Sequence, residues 1–132
     1  MNQLKAEIKG IEAAGEILLI TLRCAGLDFS SLIIDNREQY IRKGNAVFMV
    51  FKETELAIGK NLGGSLSIRN RFPSTVKAIK KGRVLSDIRL DYQGHDIVSI
   101  ITTASCENLE LKPGDPVEGL LKTNELLLMC YE

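Results

Sequence analysis

Tryptophan is absent from this 132-residue chain, and aromatic residues make up only 5% of it. The 17 basic and 17 acidic side chains leave no formal net charge at neutral pH. Without an excess of positive charge, no overall field draws the protein to nucleic acid or to an anionic membrane. With so few aromatic side chains, the chain has little with which to stack bases. We therefore expect no direct nucleic-acid partner and no membrane partner.

Cysteine is also scarce, since Cys24, Cys106 and Cys130 are odd in number and far apart. This spacing suggests neither a disulfide framework nor a zinc site. No apolar run approaches the roughly 20 residues of a membrane span, and the first residues lack the apolar core of a signal peptide. We find no nucleophile–base pair and no metal-ligand spacing. These observations favour a cytoplasmic protein that is not an enzyme and binds no bare metal ion.

The chain contains an internal repeat. A shift of 68 residues places the first half on the second, with matches that include Asn2 on Asn70, Lys9 on Lys77, Ile20 on Ile88 and Ser31 on Ser99. Further along, the matching shift is 70 residues and places Lys52 on Lys122. Such a period changes how the whole fold is interpreted. Because the paired glycines of "NLGGS" mark a joint, we divide the chain into a first repeat at 1–62, a linker at 63–66 and a second repeat at 67–132.

Each repeat has the pattern of β structure. In the second, "VLSDIRLDY" places alternate residues from Val84 to Leu90 on one face, and "QGHD" signals a hairpin before the β-branched "IVSIITT". "TASCENLEL" then offers Thr103 or Ser105 as the N-cap of a short helix. Five strands and a helical turn, made twice, predict an all-β protein of two tandem OB-like five-stranded β-barrels. At about 65 residues each repeat has a marginal core alone, so we expect the repeats to pair and the protein to form a homo-oligomer.

Four segments of the second repeat stand together in a specific order: "SIRN" at 67–70, "ITTAS" at 101–105, "LELKPGD" at 109–115 and "LLKTNELLL" at 120–128. In these segments the chain resembles the Mop or TOBE domain, closely over the second repeat and more weakly over the first. This family includes cytosolic molybdate storage proteins, the effector domain of molybdate-dependent repressors and a C-terminal domain of oxyanion-importer ATPases. The resemblance implies a tandem, or di-Mop, protein that binds molybdate or tungstate and needs no other cofactor.

The same resemblance implies a set of site residues. The ligand-binding residues that it carries over are Ser67, Arg69, Thr103, Ser105, Lys122 and Thr123, together with Asn70 as a brace for the start of its strand. Lys52 survives in the first repeat and is expected to complete a site begun by another copy. The resemblance places sites between domains or subunits of a homo-oligomer, for which we favour a trimer over a dimer or a hexamer.

The chemistry of these side chains suits a proton-free oxyanion. Such an ion offers only acceptors, and the set offers the planar fork of Arg69, the compact charge of Lys122 and several hydroxyls. Phosphate at neutral pH carries a proton that would find no carboxylate in this set to accept it. Sulfate must be excluded by size. Molybdate and tungstate are alike in size and charge, so we expect no strong preference between them.

The first repeat departs from the pattern. The segment that matches "ITTAS" reads "IIDNREQ", and its Asp35 would repel an anion. No serine and arginine precede Asn2 in the sequence as they precede Asn70. We therefore interpret the first repeat as a degenerate copy.

Taken singly, these residues have simpler interpretations. Arg69 alone would be interpreted as a solvated residue at a strand edge. Lys122 alone would be a lysine at a strand end whose aliphatic stem covers apolar surface, and Ser105 alone would be a helix N-cap. Only their joint occurrence favours a ligand. Three functions stay open: storage or buffering of an oxyanion; an oxyanion-sensing or oligomerisation domain that acts through a partner; and an OB-type nucleic-acid-binding module, against which the neutral charge and scarce aromatics argue.

Overall fold

The computed structural model of the protein describes residues 1–34 and 38–131. Over these residues the chain forms ten strands, one short helix and two 3-10 turns. The strands are β1 Asn2–Ala14, β2 Ile17–Cys24, β3 Leu27–Ile34, β4 Ala46–Phe51, β5 Ala57–Gly59, β6 Asn70–Lys81, β7 Leu85–Tyr92, β8 His95–Thr102, β9 Pro116–Leu121 and β10 Leu127–Cys130. The helix is α1 Thr103–Asn108, and the 3-10 turns are Glu53–Glu55 and Thr123–Glu125.

The strands form two five-stranded antiparallel sheets of the same design. The first sheet has the order β10-β4-β1-β2-β3, and the second has the order β5-β9-β6-β7-β8. In both, a long strand pairs with the next strand along the chain on one side and with the fourth strand of its repeat on the other. The expected all-β fold with two five-stranded units is thus confirmed.

Each sheet takes its fifth strand from the other repeat. β5 leaves the first repeat and pairs with β9, with Ala57 opposite Leu120. In return β10 leaves the second repeat and pairs with β4, with Leu127 opposite Val50. The boundaries 1–62, 63–66 and 67–132 stay a prediction about the division of the sequence. Each sheet nevertheless contains strands from both sides of the linker. The exchange uses strands of only three and four residues, which by themselves have little surface to bury.

The core is shared between the repeats. Phe29 of the first repeat packs against Phe72 and Tyr92 of the second, with ring centroids 5.5 and 5.9 Å apart. All three rings are buried, and the Phe72 and Tyr92 centroids lie 5.3 Å apart. Gly119 permits this arrangement, because a Cβ atom there would lie 2.3 Å from Cζ of Phe72. The two small repeats thereby share one hydrophobic core. This agrees with the expectation that each repeat is too short to form a stable core by itself.

Local details of the second repeat follow the sequence with two differences. Gln93 and Gly94 have positive φ angles of 50° and 88°, as a tight hairpin turn between twisted strands requires. Val84 does not join the buried face, because it precedes β7 and is 69% exposed. The N-cap of α1 is Thr102 rather than Thr103 or Ser105, since its Oγ1 accepts a hydrogen bond of 3.0 Å from the Ser105 amide.

Two further findings concern the described part of the chain alone. None of its helices has the length and hydropathy to cross a membrane. Nor does it bring three or more histidine, cysteine, aspartate or glutamate side chains together as a metal site would require.

Candidate functional site

Two short segments carry the chain from one sheet to the other. The first crossover, Lys52–Leu56, follows β4, and the second crossover, Lys122–Leu126, follows β9. Each begins with an extended lysine, with φ and ψ of −74° and 144° at Lys52 and −68° and 149° at Lys122. A 3-10 turn follows in each. The two lysines that the repeat aligned therefore occupy equivalent positions in the structure.

Buried serines hold each crossover on the opposite repeat. Ser31 on β3 donates a hydrogen bond of 2.5 Å from Oγ to the carbonyl of Leu126, in the second crossover. Ser99 on β8 donates one of 2.6 Å to the carbonyl of Leu56, in the first crossover. Neither serine is exposed to solvent. The residues that follow Lys122 thus lie on the first repeat, and those that follow Lys52 lie on the second.

Asn70, the asparagine of "SIRN", bonds to the backbone of the other repeat. Asn70 is 1% exposed, and its Nδ2 donates to the carbonyl of Ser30 at 2.9 Å while its Oδ1 accepts from the Ser30 amide at 2.7 Å. Asn2 makes the same pair of bonds to Val98, at 2.8 and 2.9 Å. Because both ends of each side-chain amide bond to backbone across the repeats, these asparagines support the pairing of the repeats.

Arg69 and Lys122 flank the end of one strand pair. Asn70 and Leu121 are the last paired residues of β6 and β9, so Arg69 and Lys122 are the next residues outward on the two strands. Both side chains are exposed, and among the described residues neither has a hydrogen-bond or ion-pair partner. The partly buried Thr123 follows Lys122, and the exposed Ser67 stands two residues before Arg69. Like charges at facing strand positions repel each other, so an anion between them would be stabilising.

Thr103 lies at the other end of β6, by the β6–β7 hairpin. The amide of Thr103 donates to the carbonyl of Val84, and its Oγ1 donates to the carbonyl of Gly82 at 2.8 Å. Oγ of Ser86 lies 2.8 Å from the same hydroxyl. The hydroxyl of Thr103 is therefore engaged in holding the β6–β7 hairpin and α1 together.

Ser105 is exposed and faces a groove between the repeats. Its Oγ accepts a hydrogen bond of 2.9 Å from Thr102 Oγ1, so its own proton is available to a ligand. The groove has a volume of about 240 Å³ and is lined by Ala57, Ile58, Ile101, Ser105, Asn108 and Leu109. A hydroxyl of the second repeat thus opens onto the exchanged strand β5 of the first.

The predicted site residues form separate groups of contacts in one chain. Ser67, Arg69, Lys122 and Thr123 lie by the start of β6, Thr103 bonds to Gly82 after the end of β6, and Ser105 faces the groove beside β5. Ala57 on the wall of that groove pairs with Leu120, two residues before Lys122. Lys52 lies at a third place, on the crossover packed against β8.

The first repeat differs at the positions that correspond to the Arg69 group. Glu53 occupies the place of Thr123 at the start of the 3-10 turn, and its carboxylate forms an ion pair of 2.8 Å with the N-terminal ammonium of Met1. Asp35, the carboxylate that we expected to disfavour binding, lies outside the described residues. The first repeat thus has a paired acidic side chain where the second has a threonine hydroxyl.

Arg71 is the charged neighbour of the site in sequence, yet it is already paired. Its Nε and Nη2 donate to the two carboxylate oxygens of Glu118 at 2.7 and 3.1 Å. The hydrogen bond from Arg71 holds the pKa of the Glu118 carboxyl below its ordinary value. Arg69 and Arg71 thus differ in availability, which their types alone do not reveal.

Our sequence reasoning did not assign a role to the buried serines that seat the crossovers. Ser31 and Ser99 appeared only as one matched pair of the internal repeat. The match between Ser31 and Ser99 was the signal in the sequence that could have revealed this role. A buried hydroxyl needs a hydrogen-bond partner, and equivalent serines in two similar repeats are expected to find equivalent partners.

Comparison with known proteins gives three results. The model of the TOBE domain matches residues 66–128. Molybdenum-pterin-binding protein 3 of Clostridium pasteurianum is 33% identical over 67 residues, which are 50% of this chain and 98% of that protein. The molybdenum import ATP-binding protein ModC of Rhizobium etli is 26% identical over 121 residues. Those residues cover 91% of this chain but 32% of that protein, so the chain spans about a third of the transporter subunit.

Among solved structures, the fold is similar to that of the cytoplasmic molybdate-binding protein ModG, crystallised with molybdate bound. The superposition has a TM-score of 0.93 and covers 98% of this chain and 96% of that one, at 23% sequence identity. At this identity the likeness concerns the fold, including its tandem arrangement.

Proposed function

The chain belongs to the Mop/TOBE family, and on that premise we propose that it binds a tetrahedral oxyanion, molybdate or tungstate, and stores or buffers it in the cytoplasm. One observation carries the proposal. Arg69 and Lys122 stand at facing ends of β6 and β9, and neither has a partner among the described residues. The names of the relatives, which refer to molybdenum binding, molybdenum import and molybdate, support the choice of ligand.

The donors nearest to this pair suit such a ligand. Arg69 can give two parallel hydrogen bonds, Lys122 gives a compact charge, and Thr123 and Ser67 give hydroxyls. Hydrogen bonds between charged donors and an anion are stronger than those between neutral groups. This set works by binding and contains no nucleophile paired with a base, so we propose a binding protein and not an enzyme.

We propose that a complete site uses a second copy of the chain. Ser105 has an available hydroxyl, but neither Arg69 nor Lys122 lines the groove that it faces. We propose that Ser105 of one copy meets Arg69 and Lys122 of another, so that the oxyanion lies between subunits of a homo-oligomer, with a trimer favoured. Thr103 would then support Ser105 through α1, and Asn70 would support Arg69 through β6. Lys52 would contribute only if the first repeat also faces a ligand.

Binding affinity tests the role of the charged pair. Arg69→Ala removes a charged fork whose hydrogen bonds contribute roughly 1.5–3 kcal/mol each, so molybdate affinity should fall at least about tenfold. Lys122→Ala should cause a comparable loss, and Arg69→Lys should recover part of the affinity. Calorimetric titration with molybdate, tungstate, sulfate and phosphate measures these effects, alongside the mass of the protein in solution. Molybdate and tungstate should bind alike and phosphate far more weakly.

Arg71→Ala is the matched control for this experiment. Its guanidinium bonds to Glu118 and is not available to a ligand, so molybdate affinity should hardly change. Equal losses in the two arginine variants would indicate a diffuse basic surface and would contradict the proposed site. Phosphate that competes on equal terms with molybdate would contradict the choice of ligand.

A further inference from the structure

Lys60 follows the exchanged strand β5 and is held by three oxygen atoms of the second repeat. Its Nζ donates to the carbonyls of Leu109 and Glu110 and to Oδ2 of Asp115, each at 3.0 Å. An ammonium group has three protons to donate, so this arrangement satisfies all of them. The side chains of Lys60 and Asp115 are only 22% and 23% exposed, which limits competition from water.

The three oxygens connect Lys60 to the helix that carries Ser105. The carbonyls of Leu109 and Glu110 lie just past the C-terminal end of α1, where a cation is favoured. The Leu109 amide in turn donates to the Ser105 carbonyl at 2.9 Å. Asp115 also accepts a hydrogen bond from the Lys112 amide at 2.9 Å, so the carboxylate is fixed from a second side. Lys60 therefore joins the chain after β5 to both ends of the loop from 109 to 115.

The same connection bounds the groove at Ser105. One wall of that groove comes from Ala57 and Ile58 on β5, and the other comes from α1 and the end of β8. Lys60 follows the first wall by two residues and bonds to the end of the second. Lys60 thus links the two walls at one end of the groove.

We propose that Lys60 is a positioning residue, which holds α1 against β5 and thereby sets where Ser105 meets the oxyanion. This inference rests on the proposed function, because it assigns Lys60 to the same site without direct contact to the ligand. Asp115 is the partner that keeps the ammonium in place, and the hydrogen bond from Lys60 is the main cause that lowers the pKa of its carboxyl. By the 70-residue shift of the internal repeat, the position that corresponds to Lys60 is Cys130, which carries no ammonium group.

The experiment compares Lys60→Met with Lys77→Met in the full chain. Methionine keeps most of the length of lysine but cannot donate to the three oxygens. Lys77→Met also removes an ion pair, to Asp96, but on the exposed surface of the β6–β8 region. Calorimetry with molybdate gives the affinity, and hydrogen exchange reports on the amides of 109–111, which bond within the α1 turn. We expect Lys60→Met to weaken binding by about 2- to 30-fold and to speed exchange at 109–111, and Lys77→Met to do neither.

Chemical rescue separates positioning from a general effect of charge. Lys60→Ala leaves a space in front of the same oxygens, which ethylammonium can enter and to which it can donate. Ethylammonium chloride should restore molybdate affinity, whereas tetramethylammonium chloride at the same concentration should not, because it carries the charge without a donor. Equal rescue by both ions would overturn the inference, as would wild-type affinity or unchanged exchange at 109–111 in Lys60→Met. If the wild-type protein binds no molybdate, the proposed function fails, and the exchange comparison still shows whether Lys60 holds α1.

Discussion

Replacement of Asn70 by alanine tests whether the two repeats form one unit. The side chain is 1% exposed and makes two hydrogen bonds, of 2.9 and 2.7 Å, to the backbone of Ser30 in the other repeat. Ser30 is itself buried, at 8% exposure, so the substitution leaves its amide and carbonyl without these partners. A buried polar group that loses its partner costs roughly 1–3 kcal/mol. Allowing for some rescue by water, we expect a loss of about 2–4 kcal/mol in the free energy of unfolding.

This loss should appear as one shifted transition. With an unfolding entropy of about 2.1 cal/mol/K per residue, it corresponds to a fall in melting temperature of roughly 7–14 °C for a chain of this length. Because the sheets exchange strands and share a core, both repeats should unfold together. Thermal and urea unfolding, followed by circular dichroism and by tyrosine fluorescence, measure the shift and the number of transitions.

Two further asparagine variants serve as controls. Asn2→Ala should cost about as much as Asn70→Ala, because Asn2 makes the equivalent bonds to Val98. Asn45 is exposed and makes one bond of 3.2 Å to the Tyr40 carbonyl, so Asn45→Ala should cost less than about 1 kcal/mol. A loss below about 1 kcal/mol at Asn70, or two transitions of which only one shifts, would refute the reasoning.

Three more predictions follow from buried groups. Gly119→Ala should destabilise the fold by about 1–3 kcal/mol, since the new methyl group meets the Phe72 ring; urea unfolding with unchanged stability would contradict this. Burial raises the pKa of Tyr92 to about 12, above its unfolded value near 10. Stability present below pH 10 should therefore be lost as pH rises toward 12, and less steeply in Tyr92→Phe, when unfolding is measured across that range. Cys130 is exposed while Cys24 and Cys106 are buried, so mass spectrometry should find one alkylated thiol in the native protein and three in denaturant.

Local patterns in the sequence were sufficient for the strands and for the repeat. Alternation of apolar and polar residues placed the buried face of β7 from Ser86 to Leu90, because successive side chains of a strand point to opposite sides. The hairpin at Gln93 and Gly94 was also readable, since few residues accept its positive φ angles. Both signals depend on a few neighbouring residues, so they can be recognised without knowing which strands pair in the fold. The family resemblance then supplied candidate ligand residues by type and order.

The exchange of β5 and β10 could not be predicted in the same way. β5 and β10 occupy equivalent positions in two repeats that resemble each other, so either could pair with β4 or with β9 by its local pattern. The choice depends on the crossovers, which Ser31 and Ser99 hold on the opposite repeat by hydrogen bonds between residues more than 40 positions apart in sequence. A short sequence motif cannot predict hydrogen bonds between residues so far apart in the chain.

The sequence by itself determined the β class of the fold, which repeat contains the "SIRN" segment and which side chains can donate to an oxyanion, because these depend on residue type and short-range spacing. Tertiary structure alone decided which donors come together. It left Arg69 without a partner among the described residues, paired Arg71 with Glu118, and put Ser105 on the groove beside β5. The physical reason is that the register of the sheet decides which residues face each other at the ends of two strands. That register depends on the packing of the whole core, and no single segment of the sequence encodes it.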